Sequence, residues 1–360
     1  MDILEYFYNK SYSHINFFPR KYLIEKREKT FVYGVPSSGK TYIVLDYLNS
    51  LEDGDVLYID LQDPKLRFNQ LLIDDIESFI FKNGIKTLVL DHYSPNQFKK
   101  FPIVEELIVV STILSSEFSD FSRVRVSYLD YEEFFSFQKK NSQKYIFNLF
   151  LKRGTILQLA IDLDRPKEEL LKNFLKSNFS DVEQSLLIVL SHFNSLNVTP
   201  YHIYTYAKRY FRISKDSVYK RIGEFLDKGV IFFIEDRVNR ASKKLILCDF
   251  VLANYLSISQ SFLKQFDSMI ALSLIKHNID FNSFDNIGYL ISNGVLVVPA
   301  PFDGEDTIYA RFKSKISLCK RYAIETICIV TISLQYDFSM DSISFEAMPF
   351  YEWVLINGES

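Results

Sequence analysis

The chain is 360 residues long, 48% hydrophobic and 24% charged, with a formal net charge of −3. That length allows two or three domains with separate cores, and the composition is ordinary for a soluble globular protein. The near-neutral balance excludes a whole-protein basic signature, so any nucleic-acid contact has to be a local patch. With 33 Phe and 23 Tyr against 11 Gly and 10 Pro, the cores should be well filled and flexible linkers few. Three cysteines (Cys248, Cys319 and Cys328) are odd in number and lack metal-ligand spacing, and read as small buried hydrophobes in a reducing cytoplasm. The five His form no HExxH or CxxC-with-His pattern, so no zinc site is expected. The start, MDILEYFYNK, lacks the apolar centre of a signal peptide, and no apolar run approaches the ~20 residues of a spanning helix. The expectation is a cytoplasmic protein without membrane contact.

An amphipathic stretch carrying Arg20 leads into TFVYG, a short strand ending at Gly34. TYIVLDYLNSL then reads as a helix and Asp55 to Leu61 as a second strand. Residues 68–82 have helical spacing through Leu72, Ile76, Phe79 and Ile80, with Asp74, Asp75 and Glu77 on the solvent side. Lys86 to Asp91 is a third strand, buried on both faces by its unbroken apolar run. Leu107 to Thr112 and Val124 to Leu129 follow as the fourth and fifth. Strands alternating with helices imply a parallel sheet with right-handed crossovers. Tyr131 to about Asn178 is helical, a lid or linker. Residues 181–249 give three short helices and two β-like runs, IFFIED and KKLILCD. From 250 onward a helical start precedes β runs (NIGYLIS, GVLVVPAP, ETICIVTIS) with a helix near 305–322, a second small α/β unit.

The segment Gly34, Val35, Pro36, Ser37, Ser38, Gly39, Lys40, Thr41 fits G-x-x-x-x-G-K-[ST] at every fixed position and lies between strand and helix. Glycines let the backbone wrap with its N–H groups inward, where they meet phosphate oxygens at a helix N-terminus. The expected ligand is ATP with Mg²⁺: Lys40, at the solvent edge and outside the core, on the β- and γ-phosphates, the Thr41 hydroxyl on the metal, and Tyr42 among the nucleotide-binding residues. Asp91 ends the third strand where a P-loop enzyme needs a carboxylate to hold Mg²⁺ through water; the alternative is a helix-capping Asp. A whole strand separates loop and Asp91, as in the additional-strand ATPases, which usually place Glu directly after that Asp. Here His92 follows, either a proton acceptor near neutral pH or a satisfied, solvent-facing His. Ser111 or Thr112 stands where a γ-phosphate sensor would be, and Arg123 or Arg125 is a candidate finger or ordinary surface Arg.

Several stretches together resemble a prokaryotic family of AAA-like ATPases with a C-terminal domain of unknown function: FVYGVPSSGKT, YIDLQDPKLR, SYLDYEEF (similar to a "PLSFEEF" block, with Tyr128 replacing Pro) and MPFYEWVL. The resemblance implies an ATPase core, a winged helix and a C-terminal domain related to PD-(D/E)xK nucleases. The matching strands appear in this sequence as NIGYLIS and GVLVVPAP, without the acid and the E-x-K, and Asp285 and Asp303 lie outside them. A binding or scaffolding role is therefore expected there in place of DNA cleavage.

Read by itself, 181–249 has Ser214 as N-cap and Gly229 as stop of a third helix exposing Lys215, Ser217, Tyr219, Lys220 and Arg221. The tip DRVNRASKK offers Arg237, Arg240, Lys243 and Lys244 to duplex DNA phosphates, against acidic neighbours Asp216, Glu224, Asp227, Glu235 and Asp236. The expected order is a P-loop core (1–130), helical lid or linker (131–180), winged helix (181–249) and nuclease-like domain (250–360). The fold class is α/β, with an additional-strand parallel sheet. The expected function is an ATP-dependent switch that presents the later domains to DNA or a protein partner. The alternative is a hydrolysis-poor P-loop scaffold for protein interaction; a small-molecule kinase lacks an acceptor motif.

Overall fold

The computed structural model describes residues 3–10, 18, 20–51, 54–138 and 141–358, with side chains to 355. Most of the amphipathic stretch expected before Arg20 lies outside the described residues. The chain divides into two compact units, Met1–Ser127 with Asp227–Gly229, and Tyr128–Leu226 with Val230–Ser360.

The first unit contains α1 (Ile3–Tyr8), β1 (Lys29–Gly34), α2 (Lys40–Leu48), β2 (Val56–Asp60), α3 (Ile73–Asn83), β3 (Thr87–Asp91), β4 (Glu106–Ser111) and β5 (Ser122–Val126). Its five strands form one sheet in the order β2-β3-β4-β1-β5, every pair parallel. β4 thus stands between the strand entering the glycine-rich loop and the strand ending at Asp91. Register aligns the carboxyl ends, with Asp60 beside Asp91 and Tyr33 beside Ser111. Strands β1 to β4 are buried on both faces, whereas the edge strand β5 exposes Ser122, Arg123 and Arg125. Phe31, Leu57, Leu88 and Val109 pack with Phe7 and Ile76 on one side; Val32, Val89 and Ile108 pack with Ile43 and Val44 on the other. This two-sided burial is why the runs are unbroken by polar residues.

Two element boundaries differ from expectation. The helix expected over 68–82 starts at Ile73, and Leu72, its N-cap, is exposed. Upstream, Asp63 accepts a hydrogen bond from the Lys65 amide and closes a short 3₁₀ turn, Pro64–Arg67, as Asp before Pro favours. The fifth strand stops at Val126 rather than Leu129, because the Leu129 amide bonds the Thr155 carbonyl instead.

The second unit opens with α4 (Tyr131–Phe137), α5 (Gln143–Arg153), α6 (Leu157–Ile161) and α7 (Lys167–Asn178). Asp130 and Glu133 form a reciprocal capping box that starts α4. Next come α8 (Asp181–His192), β6 (Asn197–Val198), α9 (Pro200–Ala207), α10 (Lys215–Asp227), β7 (Ile231–Glu235) and β8 (Lys243–Leu247). β7 and β6 both pair antiparallel with β8. The Ser214 hydroxyl accepts from the Ser217 amide at the start of α10, and Gly229, in left-handed conformation, follows its end.

The remainder holds α11 (Phe250–Leu256), α12 (Phe262–Lys276), β9 (Phe281–Phe284), β10 (Gly288–Ile291), β11 (Val295–Pro299), α13 (Glu305–Lys313), α14 (Ile316–Arg321), β12 (Thr326–Thr331), β13 (Tyr336–Met340), β14 (Ile343–Pro349) and α15 (Phe350–Gly358). The six strands run β13-β14-β12-β11-β10-β9, with β11, β12 and β14 mutually parallel in the centre. The single helix expected near 305–322 is two, α13 and α14. Strands β9, β13 and β14 are additions to the sequence reading. Their hairpins turn on Asp285–Asn286 and Asp341–Ser342, all four at positive φ. The β13–β14 turn has two residues, which the twist of the strands requires in this conformation, and the β9–β10 turn adds Ile287. Gly usually marks such turns; with Asp, Asn and Ser there instead, the signal is faint.

Candidate functional site: the loop Gly34–Thr41 and the carboxyl edge of the parallel sheet

The loop leaves β1 at Gly34, whose φ is +138°, and a Cβ there would collide with the Val126 carbonyl of the neighbouring strand. It enters α2 through Gly39 in left-handed conformation (φ +88°), and Ser37 also has positive φ. Only glycine takes the first two positions without strain. Val35 and Ser38 are buried, and Pro36 and Ser37 complete the bend, which places α2's N-terminus beside the end of β1. Tyr42 lies in the first turn of α2, half exposed. Arg20, from the segment before β1, holds the loop from outside: its guanidinium donates to the Ser38 carbonyl at 2.5 Å and the Ser127 carbonyl at 2.9 Å, and it lies over the Tyr22 ring.

Lys40 folds back into this loop. Its Nζ donates to the carbonyls of Val35 (2.8 Å) and Gly34 (3.1 Å), and the residue is only 7% exposed. A solvent-edge lysine was expected, so this is a correction. The physical reason is that the loop backbone curls over the side chain and its carbonyls take the ammonium. Burial lowers the Lys40 pKa from 10.5 to about 8, with the Asp91 charge pulling the other way. The acceptors of the Lys40 ammonium are neutral carbonyls, and the buried Ser38 hydroxyl has no partner in the loop. A desolvated cation beside an unsatisfied hydroxyl suits an anionic ligand.

Asp91 is 1% exposed and its carboxylate is fully engaged. Oδ2 accepts from the Thr41 hydroxyl at 2.7 Å and the Tyr58 hydroxyl at 2.5 Å; Oδ1 accepts from the His92 amide at 2.7 Å. Of the two readings of Asp91, the helix cap is excluded, because the next regular element is β4. Thr41 and Asp91 are an oxygen-donor pair of the kind that holds a hard divalent cation.

His92 has positive φ and directs Nδ1 to Asp60 Oδ1 at 2.9 Å, with its side chain 41% exposed. The Asp60 hydrogen bond raises the imidazole pKa above 6.5; burial opposes it and the Asp91 and Asp60 charges assist. Burial pushes the Asp60 carboxyl up, but the bonds from His92 and the Gln62 amide outweigh it and leave it below the usual range. Because His92 is raised in the folded protein, this pair stabilises fully below about pH 6.5 and the contribution fades as pH rises through the folded value. We expect the His92 ring protons to titrate above 6.5 by NMR, and Asp60→Asn to bring the midpoint down. An unmoved midpoint in the variant would dissociate the two residues.

The Ser111 hydroxyl is buried and donates to the Tyr93 carbonyl at 2.7 Å while accepting from the Ile113 amide at 3.1 Å, so it pins a turn instead of facing the loop. Thr112 is half-buried beside it. Arg123 lies level with Phe31, toward the amino end of the sheet, and donates to the Phe118 carbonyl; Arg125 is exposed, level with Tyr33. The sheet does not bring Arg123 to the loop. Three residues at the site escaped the sequence reading: Tyr58, Asp60 and the strap role of Arg20. The available signal was the strand VLYID, whose terminal Asp shares a parallel-sheet edge with Asp91.

In the second unit, Lys244 is a second correction. Expected at an exposed tip, it is 3% exposed, with Nζ 3.0 Å from both Asp267 carboxylate oxygens and 3.3 Å from the Tyr289 hydroxyl. It belongs to β8, and strand alternation turns it inward while Lys243, bonded to Glu235 at 2.8 Å, faces out. Strands β10 and β11, which lie within NIGYLIS and GVLVVPAP, bury Tyr289, Leu296, Val297 and Val298. Asp285 bonds Lys315 at 2.6 Å, and Asp303 accepts from Arg311. Cys248, Cys319 and Cys328 are buried thiols, all pushed up by burial. Among the described residues no helix is long and apolar enough to cross a membrane.

No family model and no curated protein matches the chain. Among solved structures it is similar to a Walker-type ATPase of Pyrococcus abyssi, at 12% identity and a TM-score of 0.42, over 63% of this chain and 90% of that one.

Proposed function

We propose that the loop Gly34–Thr41 binds ATP with Mg²⁺ and that the chain is an ATPase whose nucleotide state controls how its second unit meets DNA or a protein partner. The observation that carries this reading is the Thr41 hydroxyl on the Asp91 carboxylate at 2.7 Å, fifty residues apart in sequence, at the mouth of a glycine-bounded loop. Bound Mg²⁺ would supply charge neutralisation on the phosphate oxygens. Thr41 and Asp91 would hold it, Asp91 kept in place by Tyr58 and the His92 amide. Loop amides and Lys40 would hold the phosphates, the ammonium exchanging two carbonyls for anionic oxygens. Asp60 orients the imidazole of His92, whose Nε2 is the candidate to accept a proton from attacking water.

The experiment is phosphate release from Mg-ATP by the full chain. Asp91→Asn should reduce turnover roughly a hundredfold or more while affecting Mg²⁺-free nucleotide binding far less, because the carboxylate acts through the metal. Wild-type turnover in the variant would leave Asp91 a structural hydrogen-bond acceptor only.

One observation favours the hydrolysis-poor scaffold. The residue after Asp91 is an imidazole whose affinity for a proton is raised by Asp60, and a protonated His92 is no base. Tight nucleotide binding with no phosphate release would select that reading. In the second unit we read 181–249 as a winged helix, on the support of α8, α9, α10 and the β7–β8 hairpin, and 250–360 as a nuclease-like sheet acting by binding.

A further inference from the structure

With Lys244 buried and Lys243 on Glu235, the hairpin tip retains Arg237 and Arg240 of the four cations expected there. A denser basic surface lies on the segment joining α9 to α10. Lys208, Arg209, Arg212 and Lys215 are all exposed, and none has a carboxylate partner among the described residues. Nearby, Lys220 is matched by Glu224 at 3.9 Å on its own helical stripe, so it adds little to this field.

Tyrosines are interleaved with these cations. Tyr210 is 63% exposed and Tyr219 41%, so both rings are accessible to a ligand from solvent. Tyr206 stacks on His192 at 4.5 Å with 11° between planes, and Tyr210 leans against Tyr206 at 5.1 Å with a tilt of 47°, so Tyr210 is supported on one side. Arg209 approaches the Tyr206 ring and Lys215 the Tyr219 ring. Ring faces separated by unpaired cations suit a strand whose bases are free to stack and whose phosphates repeat beside them. Duplex DNA offers the phosphates but keeps its bases stacked internally.

We propose that the α9–α10 surface, with Tyr210 and Tyr219 as stacking platforms and Lys208, Arg209, Arg212 and Lys215 as phosphate contacts, binds single-stranded nucleic acid. This deepens the reading that the second unit meets nucleic acid, and it is independent of the ATP site.

The test is fluorescence anisotropy of a labelled oligo-dT of about twenty nucleotides, the matching oligo-U and a duplex of equal length, with the full chain at three salt concentrations. The single strands should bind roughly tenfold or more tighter than duplex. Tyr210→Ala with Tyr219→Ala should weaken single-strand binding ten- to a hundredfold or so, with an unchanged melting temperature, since both rings are exposed. Replacing Arg209, Arg212 and Lys215 with Ala should flatten the plot of log K against log salt by about 0.7 per lost contact. The oligo-U arm separates RNA from DNA as the source of the strand. Equal or tighter duplex binding, indifferent to the tyrosines, would overturn the single-strand proposal and leave duplex recognition standing. Failure of all three probes at low salt would overturn both nucleic-acid readings. Retained phosphate release would show the ATP site intact in either case.

Discussion

Lys40→Met should make the nucleotide-free protein more stable while removing its affinity for ATP. The pKa lowered from 10.5 to about 8 corresponds to roughly 3 kcal/mol of unfavourable desolvation at neutral pH. Because the folded value is depressed, the unfolded chain binds more protons between about pH 8 and 10.5, so wild-type stability should rise with pH through that window. A methionine of similar length removes the charge, forfeits two carbonyl hydrogen bonds, and should leave a net gain of up to about 3 kcal/mol. The variant's melting temperature should therefore exceed that of wild type without nucleotide, and its pH dependence in this window should be flatter. With Mg-ATP the order should reverse, since only wild type gains from the ligand. Affinity should fall by roughly a hundredfold or more, the usual consequence of losing one partner of a desolvated charge pair. A variant melting below wild type in both conditions would mean that the carbonyl bonds outweigh the burial of the charge.

Lys244→Ala should be among the most damaging single substitutions in the second unit. The Lys244 side chain is 4% exposed and its Nζ lies 4.6 Å from the centre of the Tyr289 ring, besides the two bonds to Asp267. Tyr289 donates to the same carboxylate at 2.8 Å, and the Ser195 hydroxyl also bonds it. Removing the lysine leaves Asp267 with neutral donors only, and breaking a buried ion pair in this way costs on the order of 3–5 kcal/mol. The urea midpoint of the second unit's transition should drop accordingly. Lys244→Met combined with Asp267→Leu should recover much of the loss, because no charge is then left unpaired. If Lys244→Ala proved neutral, the lysine would be a surface residue after all, and the hairpin tip would regain a phosphate contact.

The first unit was the more legible in sequence, and the reason is local chemistry. A parallel sheet buried on both faces gives unbroken apolar strands such as TLVLD, and the glycine-bounded loop needs fixed residue types at fixed spacing. Asp91 could be placed because the strand delivers its last residue to the loop. The partners of Asp91 were not legible: Tyr58 reaches it through strand pairing, and pairing is a tertiary fact. Asp60 and His92 are thirty-two residues apart and meet only because their strands are adjacent and in register. In the second unit, strand alternation decided what composition could not. DRVNRASKK reads as a basic tip with four exposed cations, yet β8 begins within it at Lys243 and turns the next lysine into the core. The hairpin at Asp341–Ser342 was missed because its turn lacks glycine and β13 alternates polar with half-buried residues.

Calorimetric titration of ATP into the wild-type chain, with Mg²⁺ and again with EDTA, tests the central claim most directly. One saturable site should appear with Mg²⁺. Affinity should weaken markedly in EDTA, and Asp91→Asn should lose most of that metal dependence, because Thr41 and Asp91 act on nucleotide through the cation. No saturable heat in either buffer, or binding with the same metal dependence in Asp91→Asn, would contradict the account.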